Sequence, residues 1–481
     1  MPTPLGSAPS VNRLGSAAFR NASSFVDGRL VISPYQFGGK GDGLQDDTGA
    51  IRAAVARFRE IMLASTAQTA PVALVFSGGR WRHTDTIDIT KIVGWNWQIE
   101  GGKFLGECTG KPMFDLCGSR GYQMQGVGFV GDRDNRPRCA WQAARLDESQ
   151  FCDNVAFADC SSVGYFSDTV FHAYGQETAN HHHCSWYNYD HEARVGIIEG
   201  FSANPFTSEF GTVIEGATSN INIALTGVTD LRYLPAGDQF KITGVTNAAN
   251  AVFTLPGHEF QAGDQCVFAY VEGMPDLSTS IANILSVTAT TITTDINTTT
   301  LGTYGGGGVA IRRQTKSPLY IARAEGVNID DIYTVAYGKP QIELGFPDVT
   351  APRMDMISGR NVLFEGSGNQ HNVFVDNDLV PVADLLGFEM TTYNANATES
   401  LLGCGNNAVS VYAPDIRAFD MKWDAPLVDG PVAGANQWAM YGAKIVYPTL
   451  ALTRYDVMED FNGDITQVSD GESFTINKTS L

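Results

Sequence analysis

The sequence predicts an all-β solenoid, a stack of short-stranded coils that opens with one short α-helix. Three observations predict this fold. A glycine-rich turn and an amphipathic segment lie near the N-terminus, and degenerate repeats of about the length of a solenoid coil follow them. The remaining sequence is rich in Thr, Val, Ile, Gly and Asn, which favour short strands and the turns between them.

The helix is predicted within residues 37–58, which read FGGKGDGLQDDTGAIRAAVARF. The glycines allow the positive φ angles of a tight turn. Asp46 and Asp47 supply acceptors and negative charge where a helix begins. Apolar residues from Ile51 to Phe58 then recur at spacings of three and four, which gives the helix one buried face. The acids of this segment are therefore assigned to turn and helix capping rather than to catalysis.

The repeats follow the helix and align on a column of aromatic residues. Intervals of 25, 28 and 29 residues separate consecutive members, about the length of a coil of three short strands. The column contains Phe104, Phe129, Phe157 and Trp186, with Val127, Val155 and Cys184 two residues earlier and Ile99, Met124, Cys152 and His181 three residues before those.

The repeat pattern divides the chain into five segments. It stops after residue 215 and gives way to short alternating runs separated by Gly and Asn, which are typical of a small independent β-barrel or sandwich. The predicted segments are an N-terminal arm (1–30), the capping helix and coils (31–215), an inserted all-β module (216–313), continued coils (314–393) and a β-rich C-terminal region (394–481).

Two motifs carry a resemblance to a known family. The pattern GDG…DDT.A within residues 37–58 resembles the opening of pectate-lyase-like right-handed parallel β-helix proteins, where it begins the helix that caps the solenoid. The segment LGSAAFRNASSF at 14–25 resembles linker repeats of phage tail fibres, and the insert is similar to small modules of phage tail proteins. The capping motif, the coils and the insert together resemble a bacteriophage spike, either a tailspike or a head spike of a phage-like particle.

The resemblance implies partners and a location. Proteins of this family are homotrimers that bind bacterial capsule or lipopolysaccharide, and many of them cleave that glycan as hydrolases or lyases. It implies a virion-surface protein that is assembled in the host cytoplasm and attached to a virion protein through the N-terminal arm. The family's catalytic acids vary in position, so the resemblance assigns no catalytic residue here.

Composition limits the other partners. Asp and Glu number 52 against 32 Lys and Arg, a net charge of −20, so a nucleic-acid partner is not expected. No apolar run approaches the ~20 residues of a membrane span, and the N-terminal residues lack a signal-peptide pattern. The eight cysteines form no CxxC pair and are expected to be free thiols.

A run of acids just beyond the aromatic column is the first candidate site. Asp132, Asp159 and Asp190 fall on this turn in the alignment, with Glu192 close by. Adjacent coils lie ~4.8 Å apart, so one or two coils separate such carboxylates by ~5 to 10 Å. Retaining and inverting glycosidases use this range. The alternatives are a solvated turn, where Asp and Asn are favoured, or a structural Ca²⁺ site.

The segment 172–183, HAYGQETANHHH, is the second candidate. Glu177 lies on a predicted loop among aromatic residues, and aromatic faces stack on sugars. A structural role for this acid is the alternative. The predicted catalytic residues are thus Asp159, Glu177, Asp190 and Glu192, and the predicted substrate-binding residues are His172, Tyr174, Trp186 and Tyr187.

The three consecutive histidines do not predict a metal site. The alignment places His181 inside the coil and His182 outside, because side chains alternate along a strand, and such residues cannot converge on one ion. No cofactor is expected, and the sequence contains no GxSxG, Walker or HExxH motif.

Two hypotheses of different class follow. The first is a polysaccharide depolymerase that uses paired carboxylates as general acid and as base or nucleophile, with a lyase as its variant. The second is a non-catalytic spike adhesin that recognises capsule or lipopolysaccharide. A free bacterial polysaccharide lyase is a third reading, which the phage-like N-terminal arm opposes.

Overall fold

The computed structural model describes side chains in residues 29–64, 72–146, 152–176, 178–200, 225, 239–274, 276–277, 280–322 and 327–343, and further strand backbone between residues 24 and 478. The chain forms two compact units, residues 1–187 with 199–228 and residues 188–198 with 229–481. Most of the predicted N-terminal arm, residues 1–23, lies outside the described residues. In the described part, no helix is long and apolar enough to cross a membrane.

The first unit is a parallel β-helix, as the sequence predicts. Its coils build three sheets whose successive strands pair in parallel. Such crossovers are right-handed almost without exception. Sheet 1 contains Arg29–Ile32, Val72–Val75, Val93–Glu100, Arg120–Gln125, Val155–Ala158, Thr178–His182 and Asn222–Thr226, with Ser24–Val26 antiparallel at its start; sheet 2 contains Asp42–Asp46, Arg80–His83, Lys103–Gly106, Gly128–Gly131, Ser161–Gly164 and Ser185–Asn188; sheet 3 contains Ile87–Asp88, Pro112–Asp115, Cys139–Ala144 and Phe171–Tyr174. A short antiparallel pair joins Phe206–Thr207 to Val213–Ile214.

Columns of buried side chains fill the interior of these coils. Each coil covers only its neighbours, so an inward position must stay apolar or aromatic from rung to rung. The rings stack within and between sheets, and Trp141 lies 4.2 Å from Phe157 and 5.3 Å from Phe171, nearly parallel to both. The sheet 1 column consists of Ile32, Leu74, Ile99, Met124, Phe157, His181 and Leu225, all fully buried.

The register corrects one repeat of the sequence alignment. Phe157 pairs with Met124 and His181 in sheet 1, and Ser162 takes the place beside Phe129 in sheet 2. The aromatic column predicted from the sequence is therefore wrong at Phe157. The prediction that Cys152 lies in one column with Met124 and His181 is wrong for the same reason, because Phe157 occupies that position. The coil is longer here, since the rung interval rises from 25 residues before Phe129 to 33 after it.

The capping helix spans Thr48–Ala64 and follows a 3-10 turn at Pro34–Phe37. Its buried face includes Ile51 and Phe58, as predicted, and the Phe58 ring lies 5.2 Å from that of Trp97. Asp46 caps the first turn of the helix, since its carboxylate accepts a hydrogen bond from the Thr48 amide at 3.0 Å.

Asp47 stabilises the glycine-rich turn rather than the start of the helix. It is buried, and its two carboxylate oxygens accept the backbone amides of Lys40 at 2.8 Å and Gly41 at 3.0 Å. Asp42, which is exposed, accepts the amides of Leu44 and Gln45. Asp46 therefore caps the helix as predicted, whereas Asp42 and Asp47 stabilise the glycine-rich turn.

Replacing Asp47 by Ala is expected to lower the free energy of unfolding by about 3 kcal/mol, because it removes two charge-assisted hydrogen bonds and leaves two amides unsatisfied. Asp42→Ala is the matched control, since it also removes an acceptor of two amides but at an exposed position, and its loss should be much smaller. Urea denaturation measures both. Equal losses would contradict the role assigned to Asp47.

The second unit also consists of coils whose strands pair in parallel. Sheet 1 strands here are Val327–Asp330, Met354–Arg360, Ala383–Leu386 and Val409–Tyr412; sheet 2 strands are Asp230–Tyr233, Tyr333–Tyr337, Val362–Asn369, Met390–Ala397 and Ile416–Phe419; sheet 3 strands are Gly196–Glu199, Leu319–Ala322, Ile342–Gly345, Val373–Asp376, Leu402–Cys404 and Val428–Asp429; Trp438–Tyr447 and Asn462–Ser469 follow in parallel, and Glu472–Lys478 closes the sheet antiparallel. Parallel pairing thus extends into the C-terminal region, where the sequence repeat is lost.

A small antiparallel module is inserted in this unit, as the sequence predicts. Its strands are Gln239–Lys241, Gly244–Val245, Val252–Thr254, Gln265–Glu272, Ile281–Val287, Thr291–Thr294 and Gly306–Arg312. Phe253 and Phe268 stack at 4.3 Å in its core. The antiparallel sheet begins at Gln239, whereas Asp230–Tyr233 pairs in parallel with a coil strand. Val267 and Ile311 of the module pack against Val335 and Tyr337 of that coil.

Candidate functional site

The second unit contains a cavity of about 420 Å³. One wall is a short loop that carries His191 and Glu192, and another is the edge of the inserted module. A third side is closed by Lys339, which follows a coil strand. The lining residues are His191, Glu192, Gly263, Asp264, Gln265, Arg312, Arg313, Gln314, Thr315 and Lys339.

Hydrogen bonds from side chain to backbone shape the loop beneath Glu192. The Asn188 side chain accepts the Asp190 amide at 3.0 Å and donates to the Arg194 carbonyl at 2.8 Å. Asp190 in turn accepts the Glu192 amide at 3.0 Å. The loop is joined to the end of the module by the Thr315 amide, which donates to the His191 carbonyl at 2.9 Å. These bonds leave the Glu192 side chain 70% exposed at the cavity.

An ion pair that is fixed by further contacts lies on the module side of the cavity. Arg312 forms a salt bridge with Asp264, donates to the Glu259 carbonyl at 3.0 Å and lies 5.0 Å from the centre of the Phe260 ring. Asp264 also accepts the Gln261 amide at 2.8 Å. The charge of Arg312 is therefore compensated locally.

Arg313 and Lys339 form the basic part of the cavity. The Arg313 guanidinium donates to the Gly338 carbonyl at 3.0 Å and to Gln265 Oε1 at 2.7 Å. Burial lowers the pKa of Arg313. Burial, and then the neighbouring charge of Arg313, lowers the pKa of Lys339. The cavity thus combines two carboxylates with a cluster of cations and amide groups, a lining suited to a polar ligand.

Of the predicted catalytic acids that the structure describes, Glu192 lines this cavity, whereas Asp159 and Asp190 do not. Asp190 is only 3% exposed and accepts the Glu192 amide within the loop, so it lies outside the cavity lining and its catalytic role stays a prediction. Glu177 lies outside the described residues. Asp264, Arg313 and Lys339 were not predicted as site residues; the basic run RRQTK at 312–316 in a strongly acidic chain is a signal for Arg313, and none marks Asp264 or Lys339.

Asp159 lies on a different turn from the one predicted. The turn that contains Asp159 joins sheets 1 and 2. The φ angle of Asp159 is +54°, in the left-handed region. Gly101 and Gly126 occupy the same position on the preceding rungs with φ of +65° and +64°, and His183 on the next with +51°. Asp132, by contrast, follows a sheet 2 strand. The predicted acid column is therefore wrong, because the alignment error at Phe157 carried Asp159 into it.

Replacing Asp159 by Gly is expected to raise the free energy of unfolding by up to about 1 kcal/mol, because glycine adopts a positive φ without strain. The rungs before it already use glycine at this position. Glycan binding should stay unchanged. Thermal unfolding and a binding assay measure the two effects, and a loss of binding with an intact fold would restore Asp159 as a site residue.

The predicted aromatic sugar cleft is also corrected. Trp186 is fully buried inside the coil, where its ring lies 5.8 Å from that of Phe171. His172 and Tyr174 are 6% and 5% exposed, and His172 Nε2 lies 3.0 Å from Glu199 Oε2. Tyr187 is half-buried and its backbone bonds the Ser162 hydroxyl. These side chains do not form an exposed stacking surface in this structure.

His181 lies inside the coil and His182 outside, as predicted, and the His182 and His183 rings lie 3.8 Å apart. His181 is fully buried among aromatic rings, 4.7 Å from Phe157 and 5.1 Å from Phe171. His182 and His183 are exposed. Within the described residues, no group of three or more His, Cys, Asp or Glu side chains has the arrangement of a metal site.

Fold and registers define a parallel β-helix protein with an inserted antiparallel module. Similar solved structures include ORF18 of Geobacillus virus E2 (11% identity, TM-score 0.43, 93% of this chain and 67% of that one), the Streptococcus pneumoniae surface adhesin PfbA (9%, 0.41, 92% and 97%) and the Dettilon tailspike protein (10%, 0.37, 96% and 73%). Phage tailspikes, which the sequence resembles, are thus among them. No protein-family model and no curated protein sequence matches the chain.

Proposed function

We propose that this chain is a bacteriophage or phage-like spike that binds a bacterial surface polysaccharide, capsule or lipopolysaccharide, at the cavity of its second unit. The observation that carries the proposal is the cavity itself, about 420 Å³ in volume and lined by carboxylates, guanidinium and ammonium groups, and amides. Pockets that bind small molecules fall in this size range. Sugar hydroxyls both donate and accept, so such a mixed lining suits them.

The scaffold supports this assignment. The cavity is built where a loop between coil strands meets the inserted module, and both walls are fixed by backbone hydrogen bonds. A rigid scaffold keeps side chains in place and reduces the ordering cost of binding. The phage-like arm and capping motif of the sequence support a virion-surface location, and we propose a homotrimer, as the resemblance implies.

A binding panel tests the proposal. The full-length chain is titrated with purified capsular polysaccharides and lipopolysaccharides, both acidic and neutral. We expect saturable binding to at least one polymer, and light scattering to give the mass of a trimer. Binding to none of the polymers, with the protein folded, would overturn the polysaccharide-binding function, and a monomer would overturn the trimer.

Depolymerisation is the second candidate function. The observation that favours it is that two carboxylates, Glu192 and Asp264, line the same cavity. In glycoside hydrolysis, one carboxylic acid protonates the leaving oxygen while the other carboxylate activates water or attacks the sugar. New reducing ends without ultraviolet absorbance would support a hydrolase, and new reducing ends together with an unsaturated product that absorbs in the ultraviolet would support a lyase. Binding without either product would support the non-catalytic adhesin.

A further inference from the structure

We propose that the cavity of the second unit selects polysaccharides that carry an acidic substituent, a carboxylate or a phosphate, with Arg313 and Lys339 as its charge partners. This inference rests on the proposed polysaccharide-binding function and names the chemical class of the ligand. Carboxylate and phosphate share the anionic oxygens that Arg and Lys recognise, and the experiment below separates the two.

The first argument is the local balance of charge. Among the described residues, Asp264 is paired with Arg312, and Glu343 is paired with Arg194 at 2.9 Å. Within that same part of the chain, neither Arg313 nor Lys339 has an ion-pair partner. The lining holds three cations, Arg312, Arg313 and Lys339, against two carboxylates, Asp264 and Glu192, a local excess of one positive charge in a chain with a net charge of −20. An anionic ligand would supply the missing countercharge.

The second argument is the geometry that holds the two cations together. Lys339 directly follows Gly338, whose carbonyl accepts the Arg313 Nε–H. Gly338 has a φ of +82°, and a Cβ there would meet Arg313 Cγ at 2.6 Å. A glycine is therefore needed for the approach. The bonds from Nε and Nη1 fix the guanidinium plane, while the guanidinium carries five N–H donors in all, so donors remain for a ligand.

The pKa directions agree with this geometry. Burial lowers the pKa of both cations, and the charge of Arg313 lowers that of Lys339 further. Their charged forms are thus disfavoured by burial and mutual repulsion, and a bound anion would relieve both effects.

A neutral donor lies beside the cations. Gln314 is fully buried in the cavity wall, and its Oε1 accepts the Tyr337 amide at 2.8 Å. Among the described residues, its Nε2 has no hydrogen-bond partner. A buried amide donor without an acceptor is costly, and a ligand oxygen that reached it would relieve this cost.

The experiment compares one polysaccharide in charged and neutralised forms. The probe is the polymer that binds most tightly in the panel above, used intact, after carbodiimide activation and borohydride reduction of its carboxyls to alcohols, and after removal of its phosphates. The proteins are the wild type, Lys339→Gln, Lys339→Glu and Arg313→Gln. Lys316→Gln is the matched control, a nearby half-buried lysine that does not line the cavity.

We expect Lys339→Gln to weaken binding of the intact polymer about tenfold or more, the order of one charge-assisted contact. Lys339→Glu should weaken binding further, and Lys316→Gln should bind like the wild type. Loss of binding after reduction identifies a carboxylate, and loss after phosphate removal identifies a phosphate. Arg313→Gln also removes the hydrogen bond to Gly338. If this variant does not fold, the two Lys339 variants provide the test.

The two proposals fail in different ways. If the wild type binds the neutralised polymer as tightly as the intact one, or if the selected polymer is neutral, the acidic-substituent inference is overturned while polysaccharide binding stands. If no polymer binds at all, the proposed function itself has failed.

Discussion

Lowering the pH from 7 to 4 is expected to destabilise the protein by about 3 kcal/mol through His181 alone. His181 is fully buried, and this burial lowers its pKa to about 3 from the usual 6.5. As the pH falls below 6.5, the unfolded chain takes up a proton that the folded protein does not. Stability contributed by the neutral ring is therefore present above pH 6.5 and is lost progressively down to about pH 3.

The variant His181→Leu isolates this effect. Leu225 already occupies the next rung of the same column, so leucine fits the pattern of the interior. The variant should lose about 3 kcal/mol less than the wild type between pH 7 and pH 4, measured by urea denaturation at each pH. His183→Asn is the matched control at an exposed position and should follow the wild type. An identical pH dependence in His181→Leu would contradict the account of this residue.

Replacing Glu192 by Gln is expected to lower the rate of polysaccharide cleavage at least about 100-fold, if the cavity depolymerises its ligand with paired carboxylates. The amide keeps the shape of the side chain but can neither give nor take the proton. Because Glu192 is exposed and its side chain has no ion pair with Arg or Lys among the described residues, binding and folding should be nearly unchanged. Release of reducing ends measures the rate.

Asp159→Asn is the control for this measurement, because Asp159 lies on a turn of the first unit and should leave the rate unchanged. Cleavage by Glu192→Gln at the wild-type rate would exclude Glu192 from the reaction. If the wild type binds but does not cleave, the enzymatic candidate fails and the adhesin stands.

The capping helix and its acids were predictable because their signals are local. The apolar spacing from Ile51 to Phe58 and the GDG…DD turn lie within one short segment, and the structure uses both as expected. The assignment of Asp47 to the glycine-rich turn rather than to the helix depends on a contact with Lys40 and Gly41 that spacing alone does not specify.

The interior columns were predictable only in part. Coils of unequal length allow an alignment to slide, and a phenylalanine satisfies the column of either sheet. Phe157 was therefore assigned beside Phe129, where the structure has Ser162. The error moved Asp159 to the wrong turn, because a solenoid alignment transmits one slip to every residue of that coil.

The cavity was not predictable from sequence pattern. Its walls come from residues 191–192, 263–265, 312–315 and 339, which are distant in sequence and meet only when the module folds beside its coil. Glu192 is predicted as a catalytic residue because it lies in an acidic turn of the sequence. In the structure it lines one cavity with Asp264, Arg313 and Lys339.

A crystal structure of the full-length protein with an oligosaccharide of the bound polymer tests the central claim most directly. We predict that the sugar occupies the cavity of the second unit, with an acidic substituent within hydrogen-bond distance of Arg313 and Lys339 and a ring near Glu192. An oligosaccharide bound elsewhere on the protein, with this cavity empty, would contradict the account.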